Sequence, residues 1–321
     1  MTAPLTLLGS SPRVAPGLLS WRGWDALRSA ARVLARHDHP LLPYLDEAGV
    51  RAEQVTDPDP AALIAAARRE PVLFLAAQDG DERLLRDLGT LILDDPLDIE
   101  VIHGSWDVPG ARLLDLVTVM DTLRRECPWD REQTHETLVP YLLEESYEVA
   151  DTVADGDLDA LREELGDVLM QVAFHAVVAA ERDDATAFDI DDVAGGIVDK
   201  LIRRHPHVFA DVAVSGAEEV NANWEEIKKA ERAERDGDDA SVLDGVPMAQ
   251  PALSLAAQLQ RRARRADVPD AAYDVPGPEY GARLFALVRE AQAAGHDPEA
   301  ELRATSRAFA QTVRDHEKRL R

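Results

Sequence analysis

The sequence predicts a mainly α-helical protein, in which a small α/β region precedes a helical bundle and further helices follow it. Short apolar runs alternate with helical patterns over the first 108 residues, which is typical of an α/β arrangement with a mostly parallel sheet. Beyond that point the apolar residues recur at helical spacing. We therefore predict an α/β domain at 1–108, a helical domain at 109–235, a linker at 236–250 and a second helical region at 251–321.

The elements of the first region follow from its apolar runs. Four short runs predict strands, at Leu5–Leu8, Val72–Leu75, Leu91–Leu93 and Val101–Ile102. Two segments with helical periodicity predict helices, at Trp24–Ala35 and Pro60–Arg69.

The central region reads as helical throughout. Breaks at Cys127-Pro128, at Asp155-Gly156-Asp157 and at Pro206 separate five predicted helices, near 111–126, 136–155, 158–182, 189–204 and 217–235. Asp157 and Asp189 are candidates to cap the helix that follows each of them. The segment 236–250 is polar and contains Gly and Pro, and 251–321 is helical again except for an interruption at 268–278.

Composition limits the classes of function. The 321 residues carry a formal net charge of −26, which argues against binding to DNA or RNA as a polymer. The single cysteine, Cys127, allows no internal disulfide and indicates a reducing compartment. The sequence shows neither a signal-peptide pattern nor an apolar stretch long enough to cross a membrane. We expect a cytoplasmic protein.

Two acidic pairs are the strongest chemical signal. Glu145 with Glu148, and Glu164 with Asp167, are each spaced i,i+3, so both carboxylates of a pair leave one side of a helix. Glu145 and Glu164 share stripes with core leucines and valines, where a carboxylate is costly unless it is paired or bound to a cation. Four converging carboxylates would form an all-oxygen site suited to Mg²⁺ or Mn²⁺. The alternative is a solvated acidic face.

Two basic or aromatic groups lie further along the chain. Lys200, Arg203 and Arg204 form a row that either binds phosphate oxygens or complements the end of a helix. Trp224 and Lys228 share one helical face, so the ring would stack on a base while the amine reaches a phosphate, or the ring is simply packed.

These residues together resemble a known family. Five stretches of region 111–235 carry the resemblance: Cys127-Pro128-Trp129-Asp130-x-x-Gln133-Thr134, Leu143-Glu144-Glu145-x-Tyr147-Glu148, Glu164-Leu165-Gly166-Asp167, Lys200-x-x-Arg203-Arg204-His205-Pro206-His207-Val208-Phe209 and Trp224-x-x-x-Lys228. Through them the region resembles the MazG nucleoside triphosphate pyrophosphohydrolases, which belong to the all-α NTP pyrophosphatases.

The resemblance implies an enzyme that hydrolyses an acid anhydride, with NTP and water giving NMP and pyrophosphate. It implies that Mg²⁺ binds Glu145, Glu148, Glu164 and Asp167, and that Lys200, Arg204, Trp224 and Lys228 engage the nucleotide. We add Arg203 and Trp129 to the nucleotide-binding residues and Glu144 as the residue that orients or deprotonates water. The implied role is the clearance of non-canonical or damaged nucleotides. The alternative classes are a nucleotide-sensing regulatory or scaffold protein without turnover, and a methyltransferase with an appended helical domain.

The sequence also leads to expectations for the oligomeric state and for the two regions that flank the helical domain. The apolar stripes of helices 136–155 and 158–182 predict a homodimer or a higher oligomer, as does the resemblance, unless the last region covers that face. Residues 251–321 resemble a degenerate second MazG repeat, in which Ala282 replaces the expected aspartate. Residues 1–108 resemble a truncated tetrapyrrole methylase, through Leu5-Thr-Leu-Leu-Gly9 and Glu100-Val-Ile-His-Gly104.

Overall fold

The computed structural model describes residues 3–78, 80–236 and 241–320. The chain divides into two compact units, residues 1–197 and residues 198–321. Each unit is described by itself below. The predicted domain boundaries stay predictions, and residues 237–240 of the predicted linker lie outside the described residues.

A five-stranded parallel sheet forms the beginning of the first unit. Its strands are β1 (Leu5–Gly9), β2 (Arg32–Arg36), β3 (Ala52–Val55), β4 (Val72–Leu75) and β5 (Ile99–His103), in the order β3-β2-β4-β1-β5. Leu5 of β1 lies opposite Val72 of β4 on one side and Ile99 of β5 on the other. The inner strands β1 and β4 are almost wholly apolar because both of their faces are covered.

Helices cover both faces of this sheet. They are α1 (Trp21–Ser29), α2 (Leu42–Glu47), α3 (Pro60–Ala67) and α4 (Glu82–Asp94). Helices α3 and α4 pack with Leu5, Leu7 and Phe74 in one buried cluster. Helices α1 and α2 pack with Leu8 and Leu73 in a second cluster on the other face. The predicted α/β character of this region is confirmed as a small parallel sheet between helices.

Two predicted elements of the sheet region are wrong. The segment Leu91–Leu93, predicted as a strand, is the last turn of α4, because its apolar residues continue the helical periodicity of Leu84 and Leu88, which are buried against the sheet. The helix predicted at Trp24–Ala35 ends at Ser29, and residues 32–36 form β2, because pairing with β3 and β4 outweighs the local helical pattern.

The rest of the first unit is helical, as predicted. It contains α5 (Arg112–Glu126), α6 (Pro128–Glu132), α7 (His135–Asp155), α8 (Leu158–Ala180) and the first half of α9 (Ile190–Arg204). The side chains of Met120, Leu138, Ala173 and Phe174 form the core between α5, α7 and α8. Helices α5, α7, α8 and α9 lie within about two residues of their predicted bounds, whereas α6 was not predicted and lies at the predicted break after Cys127. Thr134 begins α7 with a capping box, and Asp157 caps α8 as predicted.

The second unit is helical over its described residues. After α9 it contains α10 (Pro206–Phe209), α11 (Ala217–Asp236), α12 (Ala252–Arg265), a 3₁₀ turn (Asp270–Tyr273), α13 (Glu279–Ala293) and α14 (Pro298–Leu320). The amide of buried Gln260 on α12 donates to the carbonyl of Phe285 on α13. The helices predicted beyond 251 are therefore present, whereas their origin as a degenerate repeat stays a prediction.

None of the helices in the described part of the chain combines the length and apolarity needed to span a bilayer.

Candidate functional site

The hairpin of α7 and α8 brings the two acidic pairs together. Helix α7 is followed by Gly156, whose left-handed backbone (φ 72°) an L side chain rarely adopts. The next residue, Asp157, accepts hydrogen bonds from the backbone N–H groups of Asp159 and Ala160, which begins α8 at once. This tight connection makes α7 and α8 neighbours along their length. It also directs the side of α7 that carries Glu145 towards the side of α8 that carries Glu164.

Three of the four predicted carboxylates converge at one point of this hairpin. One carboxylate oxygen from each of Glu145, Glu164 and Asp167 lies within 4.8 Å of the other two, and all three side chains are half-buried. Glu148 is exposed, but its charge is close enough to act on both Glu145 and Glu164. Glu144 is exposed and lies outside this acidic triad.

The electrostatics of the triad are unfavourable without a cation. Partial desolvation raises the pKa of the Glu145 carboxyl, and repulsion from Asp167 and Glu148 raises it further. Partial desolvation also raises the pKa of Glu164, followed by the influence of Glu148 and Asp167. A divalent cation would relieve this repulsion. Carboxylate oxygens are the donors that Mg²⁺ and Mn²⁺ prefer, so the residues present fit such an ion.

The turn before α7 carries the predicted aromatic residue. The Trp129 ring is half exposed and meets the rings of Tyr141 and Phe174 edge-on, with centroid separations of 5.8 and 6.3 Å. Arg124 fixes this turn from α5, since its Nη1 donates to the carbonyls of Asp130 and Gln133. Trp129 is thus partly packed against these rings and partly exposed to solvent.

A pair of histidines that the sequence did not predict joins α7 to α8. The Nδ1 atoms of His135 and His175 are 2.8 Å apart and their rings are stacked, so one ring donates and the other accepts. Burial lowers the pKa of His175, and the neighbouring His135 lowers it further. His175 Nε2 and the Oε1 atom of buried Gln171 have no hydrogen-bond partner among the described residues.

The second unit brings together three of the predicted nucleotide-binding residues. The guanidinium carbon of Arg204 lies 5.5 Å from the centre of the Trp224 ring, and the amine of Lys228 lies 6.0 Å from it. The His205 ring meets the same indole edge-on at 4.8 Å. Lys200 is exposed on α9.

Glu231 was absent from the predicted site but contacts two of its arginines. Its carboxylate accepts hydrogen bonds from Nε of Arg203 at 2.8 Å and from Nε and Nη2 of Arg204 at 3.1 and 2.5 Å. Hydrogen bonds from Arg204 and then Arg203 lower the pKa of Glu231 to about 2, so it is ionised at neutral pH. The signal in the sequence is its spacing, because residues 224, 228 and 231 follow one helical face.

Comparison with known proteins shows which family this chain resembles. A sequence model described as the MazG nucleotide pyrophosphohydrolase domain matches residues 133–209. A nucleoside triphosphate pyrophosphohydrolase/pyrophosphatase MazG from Thermotoga maritima is 36% identical, and the match covers 65% of this chain and 86% of the relative. The chain belongs to the MazG family. The matched segment contains the acidic triad and the basic row of α9.

Two other relatives extend the comparison. An uncharacterized 26.1 kDa protein from Streptomyces cacaoi is 46% identical over 253 residues, covering 78% of this chain and 98% of that protein. A nucleoside triphosphate pyrophosphohydrolase from Escherichia coli K12 is 49% identical over 150 residues, covering 46% of this chain. The chain spans 55% of the length of that Escherichia coli relative.

Proposed function

We propose that this MazG-family chain is a metal-dependent nucleoside triphosphate pyrophosphohydrolase, which converts NTP and water into NMP and pyrophosphate. The observation that carries the proposal is the acidic triad of Glu145, Glu164 and Asp167, with Glu148 beside it. The names of the Escherichia coli and Thermotoga maritima relatives support the same reaction.

The chemistry requires water to attack the α-phosphorus while pyrophosphate leaves. We assign Glu145, Glu148, Glu164 and Asp167 to hold Mg²⁺, with Mn²⁺ as a second candidate ion. When bound, the ion supplies positive charge that stabilises the phosphate oxygens in the transition state. Glu144, exposed next to Glu145, is assigned to orient the attacking water or to accept its proton.

The remaining residues bind the nucleotide. Lys200, Arg203, Arg204 and Lys228 are assigned to the phosphates, where guanidinium groups form planar pairs with oxygens and the lysines act as point charges. Trp224 and Trp129 are assigned to the base or sugar, since both expose aromatic surface. We propose that the substrates are non-canonical or damaged nucleotides of the cytoplasmic pool and that the active form is a homodimer.

One assay tests the proposed reaction. The full chain is incubated with a panel of canonical and damaged nucleoside triphosphates, and pyrophosphate release is measured with Mg²⁺, with Mn²⁺ and with EDTA. The expected result is metal-dependent release of pyrophosphate and NMP in equal amounts. Release of inorganic phosphate instead, or nucleotide binding without turnover, would contradict the proposal. The second of these outcomes would favour a regulatory protein.

A further inference from the structure

The carboxylate of Glu231 holds two arginines at once. Its Oε1 accepts from Nε of Arg203, while its Oε2 accepts from Nε and Nη2 of Arg204. The side chains of Arg204 and Glu231 are only 15% and 22% exposed, so this pair is better shielded from solvent than an ordinary surface salt bridge. Arg203 is more exposed and is attached to the pair through the same carboxylate.

We propose that Glu231 is a positioning residue for nucleotide binding, which holds Arg203 and Arg204 in the orientation that receives the phosphates of the substrate. This inference rests on the proposed function, because that function assigns both arginines to the phosphates.

The hydrogen-bond pattern leaves the arginines able to bind a second anion. Glu231 engages Arg204 from the side, through Nε and Nη2, and engages Arg203 through Nε alone. The Nη1 group of Arg204 and both Nη groups of Arg203 have no hydrogen-bond partner among the described residues. A guanidinium can bind one anion along each edge of its plane. The free edges are therefore available for phosphate oxygens.

A contact with Trp224 restricts Arg204 further. Its guanidinium lies over the Trp224 ring, which belongs to the same helix face as Glu231. Arg204 thus contacts both an aromatic ring and a carboxylate of α11, and less conformational entropy is lost when a phosphate binds. The charge of Glu231 also reduces repulsion among Arg203, Arg204 and Lys228, which would otherwise oppose their convergence before the substrate arrives.

Glu231 could instead compete with the substrate for the arginines, and that role predicts the opposite change in nucleotide affinity. If its carboxylate competed with phosphate for the same N–H groups, removing its charge would strengthen nucleotide binding. If it positions the arginines, removing its charge weakens binding while the chemical step is little affected, because the groups assigned to the attacking water lie elsewhere. The sign of the change in KM therefore distinguishes the two roles.

The test compares Glu231→Gln with Glu226→Gln in the full chain. Glu226 is an exposed glutamate on the same helix, so its substitution makes the same charge change away from the arginines. KM for the best nucleoside triphosphate and Kd for its non-hydrolysable α,β-methylene analogue with Mg²⁺ are measured, together with kcat and thermal unfolding. We expect Glu231→Gln to raise KM and Kd about tenfold, the size of one charge-assisted hydrogen bond, with kcat within about twofold. Glu226→Gln should leave all of them unchanged.

Several outcomes would overturn the inference. These are a KM that falls or stays the same in Glu231→Gln, an equal rise in Glu226→Gln, or a loss of kcat with KM unchanged. If Glu231→Gln does not fold, Glu231→Asp takes its place with Glu226→Asp as control, because it keeps the charge but withdraws it by one methylene, and a raised KM is again expected. Absence of turnover in the unmodified chain would contradict the proposed function instead, and binding of the analogue would still test the role of Glu231.

Discussion

The carboxyls of Glu145 and Glu164 have raised pKa values because each is partly desolvated beside other acids. A folded protein tolerates such crowding when a ligand compensates for it. The exposed acids of this chain need no such compensation, since water solvates them. The triad is therefore distinguished by its burial and convergence, and the total negative charge of the chain is of little relevance to it.

Removing a single carboxylate from the triad should abolish turnover. Glu145→Gln and Asp167→Asn each keep the shape of the side chain but remove a metal-ligand charge, so we expect pyrophosphate release to fall by at least about a hundredfold. Far-UV circular dichroism should be unchanged, because neither side chain is part of the apolar core. Activity near that of the unmodified chain at saturating Mg²⁺ would show that the ligand assignment is wrong.

The Glu145→Gln substitution should also stabilise the metal-free protein, by an amount that depends on pH. A carboxyl with a raised pKa in the folded state favours its protonated form there, so the stability it contributes is present below its ordinary pKa of 4.5 and is lost as the pH rises through the raised value. Glu145→Gln mimics the protonated form at every pH. In EDTA we expect it to be more stable than the unmodified chain at neutral pH, with the difference vanishing below pH 4.5.

Urea unfolding followed by circular dichroism measures this difference at each pH. Added Mg²⁺ should reverse it by stabilising the unmodified chain alone. An unmodified chain that is already the more stable one in EDTA at neutral pH would mean that the acidic triad is not strained.

At the scale of the elements, one arginine of α5 contacts both the turn before α7 and the end of α8. The guanidinium of Arg124 on α5 donates to the carbonyls of Asp130 and Gln133 before α7, and it pairs with Glu181 at the end of α8. Its side chain is 11% exposed. Arg124→Met keeps much of the aliphatic stem but leaves both carbonyls without this donor. We expect it to lower the free energy of unfolding by about 2 kcal/mol.

The matched control for Arg124→Met is Glu181→Gln. It removes only the half-exposed ion pair and keeps the bonds to the carbonyls, so its cost should be below about 1 kcal/mol. Chemical denaturation of both variants provides the comparison. Equal losses would show that the ion pair, and not the fixation of the Trp129 turn, carries the stability.

The elements that the sequence predicted well are those whose signals agree with one another. Helices α7 and α8 each have long apolar stripes, and a Gly-Asp pair separates them, so periodicity and capping give the same bounds. Strand β2 was predicted as helix because its five residues follow a helix directly and gain their strand character only by pairing with β3 and β4. Strand β3 carries Glu53 and Gln54 at a sheet edge and gives little apolar signal.

The candidate site also contains some residues that the sequence predicted and others that it did not. The convergence of Glu145, Glu164 and Asp167 was predictable because Glu145 and Glu164 are carboxylates on apolar stripes and Asp167 follows Glu164 at i,i+3. Glu231 was missed because α11 is rich in charge, so its spacing from Trp224 and Lys228 is a weak signal without the contact with Arg203 and Arg204. The His135–His175 pair joins residues 40 positions apart, and nothing in either local pattern indicates the partner.

At the scale of the whole molecule, the α7–α8 hairpin keeps an apolar surface. Leu143 on α7 and Leu165 on α8 are about half exposed, and Leu169 is 40% exposed one turn further along α8. These leucines lie on the same two helices as the acidic triad. Large apolar side chains exposed on the surface of a helical hairpin are candidates for an interface.

We therefore predict that the active protein is at least a homodimer, in which the α7–α8 hairpins of two chains pack across a two-fold axis. An isologous interface buries the same apolar residues of both chains at once, so a single apolar patch on each chain is sufficient to form the dimer. Light scattering coupled to size exclusion should give at least twice the chain mass of 35.2 kDa at low micromolar concentration. Leu165→Glu should shift the protein towards the monomer and reduce turnover, whereas Leu93→Glu, on a leucine of α4 that is 81% exposed, should do neither. A catalytically active species of a single chain mass would contradict the prediction.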